Sequence, residues 1–367
     1  MPPGTDDGAD EGTDEIDGER GGSGLSAGIG AGEESCPTAW SKLATNLVEF
    51  AEAQGVSRPQ LLAAARLNDD ALEPHQSRIP LRSVHDMLDA VARSTGDELV
   101  GLHLAQSVPN GIEVLGFLFL TSPTFGDALA ALVRYHRFLA DGESYRLIRG
   151  EREARLSIHH HGRPHPAQFH VTDLVFHELT AGSARRFGRS IPGARIELRR
   201  PPPDRPEAYR QIYGDRLVFG AGLDQIVIPA EALDLPLPGS NPEMRQYFQR
   251  QLEAEIMRLP SPLLAGRVHA WVEQNLESAP GLPDVARALG MSARTLQRRL
   301  GQQGQTLRQI VDSIRCERAC EVLLATGTIA QTARRLGYSE PSAFHRAFKR
   351  WTGQTPGELL ARHRLAE

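Results

Sequence analysis

Hydrophobic spacing changes along this 367-residue chain, and each change marks a change of architecture. From Trp40 the apolar residues recur at helical spacing: Trp40, Leu43, Leu47 and Phe50 share one face of WSKLATNLVEFAEAQG, and Gly55 stops the run. Ser57-Arg58-Pro59 starts a short helix with proline in its first turn. Pro80-Leu81-Arg82-Ser83 opens another, with Val84, Met87, Leu88 and Val91 inward, and Asp97 starts one that runs through Leu104. Residues 112–120 are nearly all apolar yet too short to span a bilayer, which predicts a buried core helix. Ser122-Pro123-Thr124 caps a helix over 125–139, with Leu129, Leu132, Val133 and His136 on one stripe.

The period then shortens. Residues 145–149 and 154–159 alternate across a charged, glycine-containing turn and read as a β-hairpin. Residues 167–187 return to helix; 195–199 and 225–228 read as strands, with a helix near 206–213 between them. Pro201-Pro202-Pro203 and the stretch from Pro229 to Pro242 mark loops. A helix over 241–259 carries Met244, Tyr247, Phe248, Leu252 and Ile256, and Pro260-Ser261-Pro262 ends it as a hinge. These features predict an α+β domain over residues 39–259.

Beyond the hinge every signal is helical, and one unit occurs twice. Residues 282–300 read LPDVARALGMSARTLQRRL and residues 329–349 read IAQTARRLGYSEPSAFHRAFK. Each copy is a short amphipathic helix, a turn of Leu-Gly-hydrophobe-Ser, and a second helix with basic side chains on its outer face. That is a helix-turn-helix. Val268, Trp271, Val272 and Leu276 mark a packing helix before the first copy. In the first copy Gly290 supplies the turn, Met291 plugs the core, Ser292 caps the second helix, and Leu296 and Leu300 face inward. Arg294, Gln297, Arg298 and Arg299 are left facing out. Arginine and glutamine make bidentate bonds to guanine and adenine edges in the major groove. A long helix over 307–325 joins the copies, with Leu307, Ile310, Val311, Ile314, Val322 and Leu323 on its buried side. In the second copy Ser339 is the expected cap, Phe344, Phe348 and Trp351 the core, and Ser342, His345, Arg346, Lys349 and Arg350 the available polar set. Arg298 and Arg346 take equivalent places. Thr355-Pro356-Gly357-Glu358 opens a last short helix.

Charge supports this division. The net charge of −5 argues against nucleic acid only until it is divided by region. Residues 1–35 hold ten Asp/Glu against one Arg, whereas residues 262–367 hold fifteen Lys/Arg against nine Asp/Glu. A local basic excess is the electrostatic footprint of DNA binding. The acidic, glycine-rich segment 1–38 has too little apolar surface to offset its chain entropy and is expected to be a disordered, solvated tail. Three cysteines are too few for a disulfide framework, and Cys316 and Cys320 read as small buried hydrophobes on the long helix. The acidic start lacks the apolar core of a signal peptide and no stretch is long and apolar enough to cross a membrane, so a cytoplasmic location is expected.

The C-terminal residues resemble the AraC/XylS family of transcription regulators. The resemblance rests on IRCERACEVLL (314–324) and IAQTARRLGYSEPSAFHRAFKRWTGQTP (329–356), and it covers 266–362. It implies seven helices, with two helix-turn-helix units joined by the long helix. It places Arg294, Gln297 and Arg298 on the base-reading face of the first recognition helix, and Pro341, Ser342, His345 and Arg346 on that of the second. Leu359 and Leu360 stand where the family usually has an aromatic and an arginine, and Thr332 where an apolar residue is usual. Over residues 45–255 the strings SRIPL (77–81), TGD (95–97), LGFLFLTSPTFGDAL (115–129) and YHRFL (135–139) look like the effector domain of one branch of that family. That branch is named for arabinose but includes regulators of amino-acid catabolism. The resemblance implies a ligand-sensing or dimerising domain, and it does not imply arabinose.

Two clusters carry weaker chemistry. His159-His160-His161, with His165, His170 and His177 nearby, resembles a zinc set. Adjacent strand residues point to opposite faces, however, so the three cannot aim at one ion, and the expected reading is a polar strand end and turn. Phe117, Phe119, Tyr135, Phe138 and Phe169 could wall a ligand pocket, with Arg134, Arg137, His136 or Asp173 orienting the ligand; as aromatics on helices they read first as core. No ligand residue, metal, cofactor or catalytic residue is therefore assigned.

The expected function is a sequence-specific transcription factor that binds double-stranded promoter DNA. A small-molecule effector, a homodimer and, for an activator, RNA polymerase are its expected partners. A ligand-independent regulator whose middle domain only dimerises is the alternative. A DNA-modifying enzyme with an attached DNA-reading domain is remote, because no phosphate loop, metal motif or nucleophile elbow occurs.

Overall fold

The computed structural model describes residues 37–72, 78–107, 113–161, 163–183, 191, 193–214, 216–259 and 264–365. Residues 1–36 of the expected tail and the hinge at 260–262 lie outside them; the last tail residue, Thr38, is not part of a tail but starts a strand.

Trp40 lies in a short strand, β1 (Thr38–Trp40), rather than in the first helix, and β1 pairs antiparallel with β2 (Arg78–Pro80). The helical spacing hid this ribbon because Trp40 also serves as the N-cap of α1 (Ser41–Ala53). Helices α2 (Arg58–Ala65), α3 (Leu81–Thr95) and α4 (Val100–Ser107) pack with α1 around Leu47, Phe50, Leu61, Met87, Leu88 and Val91. Asp97 does not begin α4; its Oδ1 accepts from the Leu99 N–H just before the helix.

Helix α5 (Glu113–Leu120) buries Leu115 and Leu118 but leaves Phe117 48% exposed, so it is not the wholly buried helix its composition predicts. Thr124 caps α6 (Phe125–Tyr135), its Oγ1 accepting from the Asp127 N–H at 3.1 Å. The last expected turn tightens into a 3-10 turn over His136–Phe138. The hairpin is present as β3 (Glu143–Arg149) and β4 (Glu153–His160), antiparallel with Leu147 opposite Leu156. Helix α7 (Ala167–His177) continues into a π-turn, Glu178–Gly182.

Strand β5 (Arg195–Leu198), α8 (Pro206–Tyr213), the unforeseen β6 (Leu217–Phe219) and β7 (Asp224–Pro229) complete a sheet in the order β3-β4-β7-β5-β6. All neighbours are antiparallel except β5 and β6, which run parallel. On β4 the alternate residues Ala154, Leu156 and Ile158 face the main core with Phe125, Leu129, Phe176, Ile226 and Ile228. Each buried Leu, Ile or Phe of this set contributes about 1.5–3 kcal/mol by leaving water. Helix α9 (Pro242–Arg258) begins where the Asn241 side chain accepts from the Glu243 and Met244 N–H groups. It buries Leu252 but leaves Met244 and Tyr247 about half exposed.

The C-terminal region is all helix: α10 (Leu264–Gln274), α11 (Leu282–Ala288), α12 (Ala293–Gln302), α13 (Leu307–Thr326), α14 (Ile329–Arg335), α15 (Pro341–Thr352) and α16 (Pro356–Leu365). Seven helices among the described residues match the number that the resemblance implies. Val268, Val272, Val285, Leu296, Leu300, Ile310, Ile314, Leu336, Phe344 and Phe348 form one core. The protein therefore joins an α+β N-terminal region to an all-α C-terminal region with two helix-turn-helix units.

Candidate nucleic-acid interface

The two units are built by the same backbone device. At the first turn Gly290 sits at φ +70°, its N–H donates to the Arg287 carbonyl, and the Met291 N–H donates to the Ala286 carbonyl. At the second turn Gly337 sits at φ +69°, its N–H donates to Arg334, and the Tyr338 N–H donates to Ala333. Both are Schellman endings, which need a residue in the left-handed region. The Leu-Gly-hydrophobe string in each copy is the sequence form of that requirement.

The recognition helices start differently. Ser292 caps α12, its Oγ accepting from the Thr295 N–H at 3.1 Å. Ser339 is not the cap of α15: that place falls to Glu340, Pro341 opens the helix, and no side chain caps it. The second copy has one residue more from Ser339 to Phe344 than the first has from Ser292 to Leu296; it is taken up here, and proline, having no N–H, leaves one fewer donor to satisfy.

On α12, Arg294, Gln297 and Arg298 are exposed, and helical geometry puts them on one stripe. Arg299 departs from the expectation that it faces out: it falls off that stripe and is half-buried. On α15, Pro341, Ser342, Arg346, Lys349 and Arg350 are exposed and His345 is half-buried, while Phe344 and Phe348 are fully buried. Trp351 is half-buried rather than a core residue. Arg298 donates to Gln302 Oε1 at 3.1 Å, a surface bond that a base or phosphate could replace. Between the joining helix α13 and the second unit lies an open groove of about 520 Å³, lined by Arg308, Arg315, Tyr338, Arg346 and Arg350 against Asp312.

Sequence reasoning missed Arg315. From α13 its Nε and Nη2 donate to the carbonyls of Leu336 and Gly337 at 2.8 and 2.6 Å, and its guanidinium lies 4.2 Å from the Tyr338 ring centroid. It fastens the second turn to the joining helix. Thr332, unusual for the family, is fully buried, and its hydroxyl donates to the Thr328 carbonyl at 2.7 Å. Leu359 and Leu360 pack partly buried against the core.

Comparison with known proteins follows the same division. Residues 55–237 match the family described as the arabinose-binding domain of AraC transcription regulator, N-terminal, and residues 285–362 match a helix-turn-helix domain family. The ornithine utilization regulator of Pseudomonas aeruginosa is 27% identical over 329 residues, covering 89% of this chain and 96% of that protein. The regulator VqsM of the same organism is 36% identical over 140 residues, covering 36% of this chain and 42% of that one. VirS of Mycobacterium tuberculosis is 30% identical over 208 residues, 54% of this chain and 58% of that one. The chain belongs to the AraC family of transcription regulators. It is a DNA-binding regulator and not an enzyme. Among the described residues no helix is long and apolar enough to cross a membrane.

In this regulator the DNA-binding region rests on the outer face of the hairpin. Such faces normally meet water. Here Arg146 of β3 pairs with Glu273 of α10 at 3.0 Å and with Glu321 of α13 at 3.7 Å. Beside it, the rings of His159 and His161, 5.0 Å apart, meet His269 of α10 at 5.9 and 5.8 Å between centroids. His159 Nδ1 lies 2.9 Å from Ser313 Oγ, and Ser313 donates to Glu317 Oε1 at 3.0 Å. The histidine run is therefore an inter-region contact, not the polar strand end and turn that its sequence suggests. His160 faces the other way, to Thr172 Oγ1 at 2.9 Å, as strand alternation requires. Among the described residues no group of three metal-ligating side chains is arranged to hold an ion. Burial pushes His159 down to about 4. Burial would raise Glu317, but the adjoining His269 and His159 hold its carboxyl below the usual range. A further contact closes the set: Gly222, in the turn before β7, abuts the Trp351 backbone so tightly that a Cβ there would overlap it.

The aromatic set considered for a ligand pocket is dispersed. Tyr135 and Phe138 are core, Phe117 stacks on Phe248 at the surface, and Phe119 packs edge-on to Phe125. Arg134 pairs with Glu253 at 3.1 Å, and His136 Nδ1 lies 3.0 Å from the Val133 carbonyl. Of the named residues, Phe169 and Asp173 meet at a buried arginine.

Proposed function

We propose that the regulator reads promoter DNA with α12 and α15 set in successive major grooves. Arg294, Gln297 and Arg298 would contact bases or phosphates in one groove, and Pro341, Ser342, His345 and Arg346 in the next. Lys349, Arg350 and the half-buried Arg299 would serve the backbone. The observation that carries this reading is the repeated Schellman turn, which presents two exposed basic helices from one core. Hydroxyl-radical footprinting on the DNA upstream of its own gene tests it. Two protected stretches about one helical turn apart are expected; a single protected stretch overturns the paired reading.

The N-terminal region acts in this proposal as the sensor of a small molecule, in the cytoplasm. It acts by binding more tightly to one arrangement of the two regions than to another. The half-exposed Phe117, Met244 and Tyr247 on α5 and α9 suit pairing with a second copy. RNA polymerase is a further partner if the regulator activates. The ornithine utilization regulator is named for use of an amino acid, and a small metabolite of that kind suits this chain as effector.

A further inference from the structure

Asp173 of α7 and Arg200, just after β5, are both nearly fully buried in the main body of the N-terminal region. Arg200 Nη1 lies 3.2 Å from Asp173 Oδ2, and the Tyr209 hydroxyl donates to that same oxygen at 2.6 Å. The guanidinium sits 4.5 Å from the Tyr209 ring centroid, 5.9 Å from Phe169 and 6.0 Å from Phe219. Its other two nitrogens, Nε and Nη2, are buried with no hydrogen-bond partner, and so is Asp173 Oδ1. On the same helix His170 Nδ1 is also buried and unpartnered.

Arg146 Nη1 and Arg155 Nε are also buried without a hydrogen-bond partner, but among the described residues Arg200 alone has two such nitrogens. A buried guanidinium with donors unmet costs several kcal/mol, and proteins seldom keep one without a reason. Nε and Nη2 are not a random pair: they form one edge of the planar group, and that edge matches the two oxygens of a carboxylate. Aromatic rings flank it, and one of them, Phe169, is 41% exposed, so the cluster reaches the surface at that point. Apolar walls around one oriented charged group are the usual form of a small-molecule site.

We propose that the Nε–Nη2 edge of Arg200, braced by Asp173 and walled by Phe169, Tyr209 and Phe219, is the receptor for the carboxylate of a small organic acid. This rests on the reading of the N-terminal region as a sensor and supplies its site and ligand class. The site is coupled by the backbone to the DNA-binding region. The Arg200 carbonyl accepts from the Gly220 N–H at 2.9 Å, and that same turn carries Gly222 against Trp351 at the end of α15. A ligand that shifts Arg200 therefore acts two residues from an inter-region contact.

The test uses the full chain with sodium pentanoate, L-norvaline, pentanamide and butylamine, and compares wild type with Arg200→Lys and Phe169→Ala. Calorimetry and melting temperature report binding, since a ligand held by the native state raises stability. Anisotropy on a fixed DNA fragment reports the DNA-binding region separately. Pentanoate and norvaline are expected to raise the melting temperature, and pentanamide and butylamine to leave it unchanged. Norvaline binding more tightly than pentanoate would further assign Asp173 Oδ1 to an ammonium. Arg200→Lys keeps the charge but loses the fork, so at least a tenfold loss of carboxylate affinity is expected with DNA binding intact. Phe169→Ala should weaken binding without touching the core. No response to either carboxylate in wild type, or an equal response in Arg200→Lys, overturns the site. A metabolite extract that stabilises wild type and Arg200→Lys alike would overturn this site while leaving the sensor reading standing.

Discussion

The turns at Gly290 and Gly337 carry the same hydrogen bonds, yet a side chain at Gly290 would enter open space, whereas one at Gly337 would overlap the Leu276 carbonyl. The first turn leaves open space around Gly290 and is followed by a serine cap. The second is pressed against its neighbours: Leu276 behind the turn, Arg315 across its carbonyls, and Gly222 of the N-terminal region against Trp351. The two turns share a backbone and differ in what surrounds it. Both units touch the N-terminal region, the first where Gly304 just past α12 abuts Arg163 and the second where Gly222 abuts Trp351, but only the second also has its turn packed against a neighbour.

The largest effect should separate the two turns. Gly337→Ala combines a left-handed residue with overpacking and should cost about 2–5 kcal/mol, whereas Gly290→Ala should cost about 1–2 kcal/mol for the backbone alone. Urea denaturation of the two variants checks this; equal losses would erase the difference drawn here. Next, Arg315→Met removes two charge-assisted bonds from the second turn and should lower stability by about 1.5–3 kcal/mol. It should weaken contacts made by α15 before those made by α12, which footprinting of the variant would report.

A smaller effect concerns acid. His159 is faced by Glu317 and Ser313 from α13, by His269 from α10, and by His161 and Arg199 from its own region. The folded chain favours the neutral imidazole, so this group's contribution is complete above its ordinary value of 6.5 and is lost as pH falls toward about 4. Glu317, held ionised, loses its contribution in the same direction at lower pH. The slope of unfolding free energy against pH should therefore flatten in His159→Gln between those values. An unchanged slope would remove the cluster from the inter-region contact.

How much of this was legible in the sequence follows from how local each cause is. The turns at Gly290 and Gly337 were, because a left-handed residue between two amphipathic runs is a local signal. Ser292 was found as a cap, but Glu340 was not, since proline at the next position overrides the preference for serine. Strands β1, β2 and β6 are three residues each, too short to show a period of two. Arg315 and Arg200 were not marked because both act across the fold. One fastens a turn more than twenty positions along the chain, and the other meets an aspartate on a different element. The histidine run was seen but misplaced, because alternation says which side chains share a face and nothing about what covers it.

On the proposed function, two recognition helices read one DNA site together. Selection of genomic fragments by wild type, Arg298→Ala and Arg346→Ala at one fixed salt concentration tests it most directly. Wild type should recover a motif of two blocks about one helical turn apart. Each variant should lose about 1–3 kcal/mol and relax one block, a different one in each case. If both variants keep the wild-type motif, or relax the same block, the two units do not read DNA as a pair.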